Sequence, residues 1–79
     1  MSPSDLKNWL LRGHEVEFDF YSVRYTVKLV DCHSTFEYLF GQKFGSKTSV
    51  DNFDVMLCNR DYGTTLYDML KEAKCVSIY

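Results

Sequence analysis

The sequence predicts an α+β domain of element order α-β-β-β-α-α-β, with a mainly antiparallel four-stranded sheet and helices packed on one of its faces. Three observations carry that expectation. Apolar residues recur at helical spacing in three places: Leu6-Trp9-Leu10, Phe53-Met56-Leu57 and Leu66-Met69-Leu70-Ala73. They alternate with polar residues in three consecutive segments, Val16-Phe18-Phe20, Tyr25-Val27-Leu29 and Phe36-Tyr38-Phe40. The closing Cys75-Val76-Ser77-Ile78-Tyr79 alternates again, so Val76 and Ile78 complete the sheet. With 79 residues the chain forms one compact domain over 1–79, and a chain this short buries only about 60 to 65% of the surface its unfolded form exposes.

The first helix is expected over residues 3–12. Ser2 caps it, Pro3 takes the first helical position, Asp5 favours the positive end of the dipole, and Gly13 supplies a left-handed stop. Val16, Phe18 and Phe20 then face the core, and Glu15, Glu17 and Asp19 face out. Placing Phe20 opposite Tyr25 puts Phe18 opposite Val27 and Val16 opposite Leu29. That leaves residues 21–24 as a four-residue loop with Ser22-Val23 at its centre, since a two-residue turn there would force Val23 to positive φ. The next hairpin closes around Asp31-Cys32-His33-Ser34, with Leu29 facing Phe36 and Val27 facing Tyr38. These registers build an outer ladder Glu17–Lys28–Glu37, each pair contributing about 0.2 to 1 kcal/mol.

Gly41-Gln42-Lys43-Phe44-Gly45-Ser46-Lys47-Thr48-Ser49 reads as the longest loop. A short helix follows over residues 52–58, with Asp51 as cap, Asp54 at its third position and Val50 stapled to Val55. Thr65 caps the last helix, with Asp68 three residues on. Which strand neighbours the C-terminal one is left open by the pattern.

The net charge of −2 and isoelectric point near 5.5 argue against nucleic acid or anionic membrane as general partners, because both need a basic field. The three cysteines, Cys32, Cys58 and Cys75, show no paired spacing, so free thiols in a reducing cytoplasm are expected rather than disulfides or a zinc ribbon. No apolar run approaches the roughly 20 residues that span a bilayer, and no signal peptide is evident.

Leu6-x-x-Trp9-Leu10-x-x-Gly13-His14-Glu15-x-Glu17-Phe18, the Tyr25 hairpin, Phe53-Asp54-x-x-Leu57 and Gly63-x-Thr65-Leu66-x-x-x-Leu70 together resemble small uncharacterised proteins of Gram-positive bacteria, their phages and mobile elements. The shared features are caps and core positions, so the resemblance implies a fold and no catalytic residues. Ser22-Val23 stands where those proteins usually carry Asn-Gly-like residues.

Gly41-x-x-x-Gly45-Ser46-Lys47-Thr48 has the wrong spacing for a phosphate loop. Asp31-Cys32-His33 gathers three ligand types in one hairpin, but structural zinc takes four, usually in paired spacings. Glu15, Glu17 and Asp19 share a face at about 7 Å intervals without the apolar pocket that would separate their roles. Trp9 reads as a core anchor. The sequence is therefore read as a non-enzymatic protein-interaction module, without cofactor or metal, that binds another protein or itself as a homodimer. Tyr21, Val30, Leu39 and Tyr79 interrupt the polar face of the sheet and are the candidate partner-binding residues. The alternative is weak binding of single-stranded nucleic acid or a small ligand at the 41–49 loop, through Lys43, Phe44 and Lys47.

Overall fold

A computed structural model describes residues 1–32 and 35–79, the side chain of Cys32 excepted. The elements run α1 (Pro3–Leu11), β1 (Val16–Phe20), β2 (Val23–Cys32), β3 (Thr35–Gln42), β4 (Lys47–Val50), α2 (Phe53–Leu57), α3 (Leu66–Lys71) and β5 (Lys74–Ile78). The α+β class stands, but the sheet has five antiparallel strands in the order β4-β3-β2-β1-β5. The additional strand, β4, comes from the stretch expected to be loop. Gly41 makes it possible: a Cβ there would run into the Ser46 carbonyl oxygen and stand 2.9 Å from the Lys47 Cα, so only glycine lets the two backbones pair this closely. The C-terminal strand takes its place beside β1.

Local signals fix the helix ends. Ser2 Oγ accepts from the Asp5 N–H, and Thr65 Oγ1 from the Asp68 N–H, each at 3.1 Å. Gly13 turns left-handed at φ 88°. The cap of α2 is Asn52 rather than Asp51, its Oδ1 accepting from the Val55 N–H at 3.1 Å. Val55, expected to staple to Val50, is exposed, while Val50 packs against the core.

One face of the sheet, with Val16, Phe18, Tyr25, Val27, Tyr38 and Phe40, joins Leu6 and Leu10 of α1, Phe53, Met56 and Leu57 of α2, and Leu66, Met69 and Leu70 of α3 in a single buried cluster. Each fully buried Leu, Met or Phe there contributes about 1.5 to 3 kcal/mol. Trp9 packs against this cluster while half-buried.

Both hairpin registers differ from expectation by two residues. Phe18 pairs with Tyr25 and Val16 with Val27, while Leu29 pairs with Tyr38 and Val27 with Phe40. A two-residue turn, Tyr21-Ser22, closes the first hairpin at φ 48° and 67°, both positive as a type I′ turn requires. Val23 is spared because the turn lies one residue earlier than expected. In the second hairpin, β2 runs through Cys32 and β3 begins at Thr35. The shift dissolves the ladder: Glu17 lies opposite Thr26, Lys28 opposite Leu39, and Val30 opposite Glu37.

Candidate functional site: a groove at the end of the sheet

Glu17 and Thr26 are neighbours on the face away from the helices, yet both are buried, Glu17 at 4% exposure. What covers the carboxylate is charge. Arg24 Nε lies 3.1 Å from Glu17 Oε1, and Lys43 Nζ lies 3.3 Å from the same oxygen. Burial alone would raise the Glu17 pKa, but the hydrogen bonds from Arg24 and Lys43 outweigh it and hold the carboxyl below its ordinary value. Arg24 also donates from Nη1 to Asp19 Oδ1 at 3.1 Å and to the Cys75 carbonyl at 2.6 Å, and from Nη2 to Ser77 Oγ at 2.8 Å. One guanidinium thus ties β1 and β2 to β5. Its pKa is raised despite burial, through the bonds to Asp19 and Glu17.

Asp19 and Cys75, two partners of this guanidinium, also line a groove of about 510 Å³ together with Phe20, Tyr21, Ser22, Glu72 and Lys74. Two segments about fifty residues apart build it: the β1–β2 turn, and the junction of α3 with β5. Between Glu17 and Asp19 the pairing of β1 with β5 is irregular, and Cys75 there adopts φ 51°. Tyr21, Ser22 and Cys75 are the non-glycine residues with positive φ among those described, and all three line this one groove. Such conformations cost about 1 to 3 kcal/mol each and collect at ligand clamps and active sites. Tyr21 is 77% exposed, its ring set edge-on to Phe20 at 4.5 Å and its hydroxyl donating to Glu72 Oε2 at 3.1 Å. That bond raises the phenol pKa.

The candidate partner-binding residues are dispersed. Tyr21 belongs to the groove. Tyr79 exchanges backbone hydrogen bonds with Glu15, Glu15 stands 4.0 Å from Lys28, and Lys28 pairs with Leu39. Tyr79 and Leu39 therefore share one row of the outer face with an ion pair between them. Val30 lies farther out, where residues 30–32 pair with residues 35–37 past the last pairs of β2 with β1 and of β3 with β4. Phe36, on the same two-stranded arm, is 61% exposed.

In the alternative loop, Lys43 is bound to Glu17, and Lys47 Nζ donates to the carbonyls of Gln42, Lys43 and Gly45 at 2.9 to 3.1 Å. Phe44 stands in solvent at 94% exposure, 5.5 Å from the Lys43 ammonium. Of the Asp31-Cys32-His33 grouping, His33 and the Cys32 side chain lie outside the described residues. Cys58 and Cys75 are free thiols. No group of three ligating side chains suited to a metal occurs among the described residues, and none of the described helices is long and apolar enough to cross a membrane. Sequence reasoning named Tyr21 but missed Asp19, Ser22, Glu72, Lys74 and Cys75 as its companions. No family model, curated protein or solved structure matches the chain.

Proposed function

We propose that the chain is a non-enzymatic protein-interaction module whose partner docks in the Tyr21 groove. The observation that carries this reading is the convergence of Tyr21, Ser22 and Cys75, each in a costly backbone conformation, around one groove. A turn evolved for stability alone would carry Asn-Gly; here a large, exposed aromatic side chain occupies the first turn position. Aromatic anchors of this kind dominate binding energy at interfaces. The nucleic-acid alternative draws little support from the geometry, because Lys43 and Lys47 are both committed to internal partners.

The test is the double substitution Tyr21→Asn with Ser22→Gly. It relieves the turn and is expected to raise stability by about 1 kcal/mol while removing the partner captured from extracts of the native host, quantified by mass spectrometry. Sedimentation of the purified chain separates self-association from binding to another protein. Undiminished capture by the more stable variant overturns the reading.

A further inference from the structure

We infer that the groove recognises a guanidinium or alkylammonium group, which, on the docking reading above, is an arginine or lysine side chain of the partner. The acceptor inventory points there. Asp19 and Glu72 both line the groove; Asp19 commits Oδ1 to Arg24 and Glu72 commits Oε2 to Tyr21, and the second oxygen of each carboxylate carries no hydrogen bond or ion pair among the described residues. Phe20 and Tyr21 add two aromatic rings at 70° to one another, and ring faces attract cations.

Charge favours the same ligand. Asp19 and Glu72 outnumber Lys74 in the lining, and Arg24, whose guanidinium pairs with Asp19, is not a lining residue and is held further by Glu17, Ser77 and the Cys75 carbonyl. A volume of about 510 Å³ falls in the usual range for ligand sites, about 300 to 1,000 Å³, and admits the side-chain stem along with its charged head.

The lining makes opposed demands on two neighbouring substitutions. Glu72→Gln removes an attracting charge while its amide still accepts from Tyr21, and Lys74→Gln removes a repelling one. The probes are agmatine, the capped tripeptide acetyl-Gly-Arg-Gly-amide, and acetate as the anionic control, each titrated into the full chain and followed by amide NMR shifts. The expected result is saturable shifts for both cations, confined to residues 19–22 and 72–75. Affinity should fall about fivefold in Glu72→Gln and rise in Lys74→Gln. Bound cation should also slow alkylation of the Cys75 thiol but not of exposed Cys58, read by peptide mass spectrometry. Tighter binding of the tripeptide than of agmatine supports a partner's side chain; the reverse order overturns that assignment. Saturable acetate binding, or weakening by Lys74→Gln, overturns the cation itself. Silence of both cations, with partner capture still abolished by Tyr21→Asn/Ser22→Gly, defeats the cation and spares the docking reading. Capture untouched by that double substitution defeats the docking reading.

Discussion

Two hairpin turns lie side by side at one end of the sheet, the Lys43 N–H of one donating to the Arg24 carbonyl beside the other at 2.8 Å. Each lifts an aromatic ring into solvent, Tyr21 in the β1–β2 turn and Phe44 in the β3–β4 turn. Their backbones differ. Residues 42–45 form a turn closed by the Gly45 N–H to the Gln42 carbonyl at 3.1 Å, with neither Lys43 nor Phe44 at positive φ, and Lys47 gathers its carbonyls. The β1–β2 turn holds Tyr21 and Ser22 left-handed. The Phe44 turn is what local energetics would choose, while the Tyr21 turn is kept against them. Exposure of a ring is common and by itself uninformative; exposure held at a conformational cost points to use.

The comparison is broken most severely at Gly41, on which the relaxed turn depends. Gly41→Val would place side-chain carbon against the Ser46 carbonyl and the Lys47 backbone, neither the end of a flexible group. The expected loss is about 3 kcal/mol or more, measured by urea denaturation, with β4 amides losing protection from hydrogen exchange first. A cost near that of a surface substitution would mean that β4 does not pair closely with β3.

Glu17 joins the two turns, receiving Arg24 from one and Lys43 from the other. Its folded pKa lies below the ordinary value of 4.5. The unfolded chain therefore takes up the proton first, so the contribution of Glu17 is complete above about pH 5 and is lost as pH falls through the folded pKa. Glu17→Gln is expected to cost about 2 kcal/mol at pH 7 and progressively less as pH falls below 4.5 through the lowered pKa of the wild-type carboxyl. A gap between the two proteins that stayed constant across that range would show that charge does not couple the turns.

Much of this architecture is legible in the residues. Ser2, Gly13 and Thr65 announce helix ends through chemistry that acts within four residues, and the alternating apolar positions identify the core face of every strand from β1 to β3. Register is less accessible for a physical reason. A slip of one residue turns every apolar side chain outward, but a slip of two leaves each on its own face, so the pattern alone admits both the expected pairing of Phe20 with Tyr25 and the observed pairing with Val23. The turn decides, and neither tyrosine nor serine declares a left-handed conformation as Asn-Gly would. Lys47-Thr48-Ser49-Val50 is too polar to read as a strand; Gly41 within an apolar alternation was the available sign of close backbone approach. The groove was illegible because Asp19 and Cys75 meet only once β5 has settled beside β1.

The smallest expected effect is the sharpest control on the comparison. Phe44→Ser removes the most exposed aromatic side chain of the described chain, yet at 94% exposure it takes almost no buried area with it. Serine accepts the turn's backbone, and Lys43 keeps its contact with Glu17 because the ring does not mediate it. Stability should change by less than about 0.5 kcal/mol, and capture of a partner should be undiminished. If the ring at Phe44 were instead the anchor, this substitution would leave denaturation curves superimposed while abolishing capture. That outcome would reverse the roles of the two turns and make the left-handed Tyr21 a property of the fold alone.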